Sequence, residues 1–154
     1  KAAIMSQLSP SYLHYFDGAC SLNPGGIASF GWQLLRSDRS VLSEGWGLAE
    51  VGPAATCNSA EYAALVDGLE ECVALLPRGS SLLIRGDSEL VIRTLAQRWR
   101  LQAPNLLPYR DYAIQLLHRH SFTWRAEWIP REENAVADCL SRRSRRFSLV
   151  RIAR

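Results

Sequence analysis

Apolar and polar positions first alternate in short runs and then settle into longer stretches with helical spacing. An apolar run over residues 12–17 ends in the turn-rich segment GACSLNPGG. Residues 28–36 and 41–49 alternate around tryptophan: Phe30, Trp32 and Leu34, then Leu42, Trp46 and Leu48. Period-two alternation of this kind predicts half-buried strands, and the short connections predict an antiparallel meander. A helix is expected over 59–76, with Tyr62, Leu65, Val66, Leu69, Val73 and Leu76 on one stripe and Asp67, Glu70 and Glu71 opposite. Pro77 and Gly79 end it. Residues 81–86 predict a short buried strand, parallel to an earlier one because a long helix precedes it. Helices at 88–97 and 106–118, a strand at 122–129 and a last helix at 133–143 complete the pattern. The order βββαβααβα predicts an α/β fold: a mixed five-stranded sheet, three antiparallel strands then two parallel ones, with helices packed on it.

Composition narrows this picture. With 154 residues, 47% hydrophobic and 21% charged, the chain matches one folded domain and excludes a disordered one. Apolar runs are too short to span a bilayer, and KAAIMSQLSPSYLHYF lacks the pattern of a secretory signal. A cytoplasmic monomer without membrane contact is therefore expected. The four cysteines are far apart and form no zinc-ligand spacing, so free thiols in a reducing compartment are the simplest reading.

Charge is unevenly distributed. The net charge is +3, but RRSRRFSLVRIAR (142–154) holds six of the 18 basic residues and no acidic one. The rest of the chain carries 12 basic against 15 acidic residues, a net of −3. The expected organisation is an N-terminal extension (1–11), a body (12–142) and an Arg-rich tail (143–154). Three readings of the tail stay open: FSLVRIAR alternates and can dock as a strand, it is solvated, or its arginines contact a polyanion directly.

Four carboxylates fall at special places. Asp17 ends the first strand, Asp87 follows the fourth, and Asp138 lies on the last helix. Glu61 lines up with Leu65 and Leu69, which turns it toward the sheet. If the fourth strand lies parallel beside the first, Asp17 and Asp87 emerge at the edge where open α/β sheets bind ligands. Acids gathered there resist ionisation unless a cation neutralises them. Oxygen donors without Cys or His suit Mg²⁺ or Mn²⁺, and two such ions can clamp an in-line phosphoryl displacement. Each acid also has a purely structural role open to it. Asp17-Gly18 can be a turn, and Asn58 with Glu61 a capping box. Asp87 or Ser88 can cap the next helix, and Asp138 can pair with Arg142.

Motifs, order and spacing together resemble the type 1 ribonucleases H. The resemblance covers about residues 12–142 and rests on DGACSLNPGG, TCNSAEYAAL, GDS and NAVADCLS. It implies the ribonuclease H-like fold and hydrolysis of the RNA strand of RNA/DNA hybrids, leaving 3′-hydroxyl and 5′-phosphate ends. It also implies that Asp17, Glu61, Asp87 and Asp138 hold two divalent ions, Mg²⁺ or Mn²⁺. Asn23 and Asn58 match asparagines that read 2′-hydroxyls across a minor groove, and Thr56 matches a residue that helps hold a DNA-strand phosphate. Ser88, in the GDS motif, belongs to the same expected substrate surface. A catalytically weak binder of hybrid or double-stranded RNA is the alternative.

Several positions depart from the family pattern. Cys57 stands where related sequences often have Asn, which removes one polar contact, and Glu89 stands where bacterial relatives have Gln. The histidine many relatives carry before the last catalytic Asp is missing. The segment instead resembles a branch with Arg131, Asn134, Ala137 and Asp138 in an R-x-x-N-x-x-A-D pattern. Arg131 stays charged and cannot act as a general base, but it can stabilise phosphate or help expel product. Its structural alternative is an ion pair with Glu132 or Glu133. His14, three residues before Asp17, faces the other side of the sheet. The basic helix that grips the DNA strand in some bacterial members is absent, and only QRWRLQAPNLLPYR lies between the middle helices.

Overall fold

A computed structural model describes residues 9–21 and 25–152, with side chains described to residue 144. Strands β1 (Tyr12–Cys20), β2 (Ile27–Arg36) and β3 (Val41–Val51) form the antiparallel meander. Helix α1 (Cys57–Leu75) leads to β4 (Ser81–Gly86), which pairs with β1 in parallel. Helices α2 (Glu89–Leu95) and α3 (Leu107–Arg119) precede β5 (Thr123–Trp128), parallel to β4. A 3-10 turn (Arg131–Glu133) then leads into α4 (Ala135–Ile152). The sheet order is β3-β2-β1-β4-β5, which seats β4 beside β1, the placement the sequence leaves conditional. No helix among the described residues is long and apolar enough to cross a membrane.

Both faces of β1 are covered, which is why LHYF reads as a continuous apolar run. Phe16 packs with Leu34, Leu65, Leu69, Leu82 and Ile84 in the main core between the sheet and α1. Leu13 and Tyr15 point the other way, into a second cluster with Leu35, Leu83 and Ala137 of α4. Asp17 follows Tyr15 by two residues and therefore shares its face.

His14 is fully buried on the α1 side, and its Nε2 lies 3.2 Å from the Leu65 carbonyl oxygen. A carbonyl only accepts, so Nε2 carries the proton. Burial pushes the imidazole pKa down from 6.5 to about 4. The ring fits because residue 68 is glycine: a Cβ there would lie 2.2 Å from His14 Cε1. The folded state thus takes up fewer protons than the unfolded chain between pH 6.5 and 4, and stability falls as pH drops through that window. Relative to His14→Leu, the protein should lose about 2 kcal/mol more between pH 7 and 4.5, read from urea midpoints. Parallel pH profiles for the two proteins would refute this.

Two local expectations change. The cap of α1 is Thr56, whose Oγ1 accepts from the Ser59 amide at 3.0 Å, while Ser59 Oγ accepts from the Thr56 amide at 3.1 Å. This reciprocal pair replaces the Asn58–Glu61 capping box and starts the helix two residues earlier. Glu61 is left free to face the end of β1. The second change concerns the tail. Helix α4 passes through the expected boundary at 142/143 without a break and continues to Ile152. The stretch holds neither Gly nor Pro, so nothing stops the helix, and its alternating residues form no strand. Residues 1–8 of the expected extension and residues 153–154 of the tail lie outside the described residues.

Candidate active site at the strand ends

The parallel register sets Phe16 opposite Gly86, so the chain places Asp17 and Asp87 side by side where β1 and β4 emerge. The first turns of α1 lie across β1 at Gly18 and bring Glu61 over the same point. One carboxylate oxygen from each of Asp17, Glu61 and Asp87 lies within 4.8 Å of the other two. Asp138 of α4 lines the same cleft, of about 390 Å³, together with Cys57, Arg131 and Arg142. Four acids scattered over 122 residues therefore meet at one sheet edge.

The acids are poorly solvated. Asp17 is buried, and desolvation first, then the neighbouring Asp87, raise its pKa to about 8. Glu61 is also buried, and desolvation followed by the charges of Asp17 and Asp87 holds its pKa well above the ordinary carboxylate value. Its Oε2 has no hydrogen-bond partner. Such an arrangement opposes ionisation in the bare protein and is relieved by a cation. Hard oxygen donors converging on an orphaned, buried carboxylate oxygen fit a divalent ion of the Mg²⁺ or Mn²⁺ type.

Asp138 is held differently. Its Oδ1 accepts from Arg142 Nη2 at 3.1 Å and from Arg131 Nη2 at 3.4 Å. The i,i+4 pair with Arg142 is thus present, and the partner of Arg131 is Asp138, not Glu132 or Glu133. Asp138 shares the cleft without joining the tight trio.

Asn134 and Ser141 join α4 to the site. The Asn134 amide donates to the Phe16 carbonyl at 2.9 Å, pinning the start of α4 beside Asp17. Ser141 Oγ lies 2.7 Å from the Asp138 carbonyl and 3.0 Å from Asp17 Oδ2. Ser141 Oγ is the donor toward both acceptors, and its bond to Asp17 favours the ionised carboxylate against the burial that raises its pKa. Neither residue was expected to shape the site beyond the place of Asn134 in its motif. The available signal for Ser141 was its spacing, three residues after Asp138 on a helix.

The other expected site residues among those described lie around this edge. Thr56 caps α1 and Ser88 caps α2, its Oγ accepting from the Val91 amide at 3.4 Å. Asn58 is exposed on the first turn of α1, beside Cys57 at the cleft wall. Arg131 is two-thirds exposed. Asn23 lies outside the described residues.

Residues 15–144 match the family model described as reverse transcriptase-like. Ribonuclease H of Pseudomonas entomophila is 30% identical over 130 residues, 79% of this chain and 82% of that protein. The chain belongs to the ribonuclease H family. Ribonuclease HI of Halobacterium salinarum is 36% identical over 127 residues, 82% of this chain. The chain spans 60% of that longer relative. Among solved structures, LC11-RNase H1 in complex with an RNA/DNA hybrid superposes with a TM-score of 0.82 at 26% identity, covering 90% of this chain and 99% of that one. The four carboxylates of this ribonuclease H domain therefore sit on a fold whose relatives carry that name.

Proposed function

We propose that this domain hydrolyses the RNA strand of RNA/DNA hybrids, with two divalent ions held by Asp17, Glu61, Asp87 and Asp138, and leaves 5′-phosphate and 3′-hydroxyl ends. The observation that carries this reading is the meeting of Asp17, Glu61 and Asp87 within 4.8 Å around an unpartnered Glu61 oxygen. Bound Mg²⁺ or Mn²⁺ supplies the charge that ionises a water and offsets the build-up of charge on the phosphate undergoing displacement. Asp17, flanked by Asp87, Glu61 and Asp138, would be the ligand common to both ions, with Glu61 and Asp87 beside it. Asp138, whose Oδ1 accepts from Arg131 and Arg142, would help hold the second ion, and the two arginines at the cleft would meet phosphate.

The surrounding groups orient the substrate. Asn58 and Asn23 each donate and accept, as reading a 2′-hydroxyl requires. Thr56 and Ser88 sit at helix N-termini, where backbone amides favour a phosphate. Arg131, a guanidinium that only donates hydrogen bonds, holds the leaving or product phosphate.

The deciding experiment is turnover of a hybrid labelled on each strand in turn, with Mg²⁺, with Mn²⁺ and with EDTA, beside a duplex RNA of the same sequence. Metal-dependent cleavage confined to the RNA strand of the hybrid is expected. Absence of cleavage with both metals overturns the catalytic reading, and preference for duplex RNA overturns the substrate.

A further inference from the structure

Beyond the cleft, where α2 packs on the edge strand β5, lies a second open surface of about 450 Å³. Arg93, Arg98, Arg125 and Trp128 line it. Trp128 is 49% exposed, yet its Nε1 donates to the Asp87 carbonyl at 3.1 Å, which ties the indole to the rim of the cleft. Trp99 is 44% exposed and lies 5.2 Å from the Arg93 guanidinium.

Charge on this surface is only partly compensated. Glu89 pairs with Arg93, and Glu127 pairs with Arg85. Arg98 and Arg125 are exposed and belong to no ion pair among the described residues. Guarding the edge of β5 would need a charge but not the half-exposed indole of Trp128, which leaves apolar area in water.

We propose that this α2–β5 surface binds single-stranded nucleic acid running on from the hybrid in the cleft. Uncompensated guanidiniums meet backbone phosphates, and exposed indoles offer faces on which unpaired bases stack. A duplex keeps its base faces inside the stack, so the tryptophans select a single strand. The location beside Asp87 rests on the hybrid reading of the cleft, but the surface itself is measurable without catalysis.

The test is fluorescence anisotropy with fluorescein-labelled dT12 in EDTA across a salt series, for the wild type, Arg98→Ser/Arg125→Ser, Arg98→Lys/Arg125→Lys and Trp128→Leu. The serine pair should weaken binding about tenfold and lower the log–log salt slope by about 1.4, the value for two lost single-strand phosphate contacts. The lysine pair should keep that slope, because it keeps both charges. Trp128→Leu should weaken binding about tenfold with the slope unchanged, as loss of one stacked base requires. Equal affinity and slope for the wild type and the serine pair overturn the proposal. So does loss of slope in the lysine pair, which would trace the effect to folding, or full competition by poly-glutamate, which would reduce the surface to generic charge. Failure of hybrid cleavage in the metal assay, by contrast, leaves this binding result standing and strikes only the catalytic reading.

Discussion

Asp17→Asn should lower RNA-strand cleavage at least 10³-fold and, in the same protein without metal, raise its stability. The two effects have one cause. Asp17 stands against Asp87, Glu61 and Asp138, so its charge is what the ions need and what the bare fold resists. On the proposed two-ion reading, losing Asp17 as a ligand removes several kcal/mol of transition-state stabilisation, and each 1.36 kcal/mol is a factor of ten in rate. In the metal-free protein the carboxyl pKa rises from 3.8 to about 8. An acid whose folded pKa exceeds its unfolded one favours the folded state when protonated, so its contribution is lost as pH climbs from about 4 toward 8. At pH 7 this costs on the order of 3 kcal/mol, which Asn avoids while keeping the shape. A rise in Tm of about 5–10 °C in EDTA at pH 7.5 is expected, shrinking at pH 5. Mg²⁺ should then stabilise the wild type and leave the variant unmoved. Cleavage within tenfold of wild type, or a lower Tm in EDTA, would remove Asp17 from the centre of the site.

The parts of this site that were legible in the sequence are those fixed by short-range pattern. A continuous apolar run placed β1, helical spacing turned Glu61 inward, and the helix between β3 and β4 called for a parallel β4. Those three statements, with β4 seated beside β1, bring Asp17, Glu61 and Asp87 together. What was not legible depends on competition or on distant partners. Asn58 with Glu61 and Thr56 with Ser59 are both reasonable caps, and only packing of α1 on β1 selects the second. Arg131 has two glutamates next to it in sequence, yet the turn from β5 into α4 carries it to Asp138. The tail carries strand-like alternation, but the helix ahead of it is already nucleated, and extension adds one hydrogen bond per residue. Asn134 and Ser141 act through Phe16 and Asp17, more than a hundred residues away, which no local pattern encodes.

Two glycines packed against helix backbone give the second large effect. Gly18 follows Asp17, and a Cβ there would lie 2.3 Å from the Glu61 amide nitrogen and 2.4 Å from the Ala60 carbonyl carbon. These are helix backbone atoms, so no rotamer change relieves the overlap; α1 must move. Gly18→Ala should therefore cost about 3 kcal/mol, at the upper end for overpacking, and lower Tm by about 6–12 °C. The shift also carries Glu61 away from Asp17. A displacement near 1 Å at a catalytic group costs about 10² in rate, so the folded fraction should cleave about a hundredfold more slowly. Gly31 makes the same contact with α4, where a Cβ would meet the Ser141 nitrogen at 2.3 Å and the Leu140 carbonyl carbon at 2.5 Å. Gly31→Ala should lose comparable stability but displace Ser141 and Asp138 while leaving Glu61 in place. Mn²⁺ titration then separates the pair: Gly18→Ala weakens the tight site of Asp17, Glu61 and Asp87, and Gly31→Ala weakens the position completed by Asp138. Urea midpoints and kcat on the folded fraction check both variants. A Gly18→Ala protein with wild-type midpoint and wild-type kcat would show that α1 does not set the distance between Glu61 and Asp17.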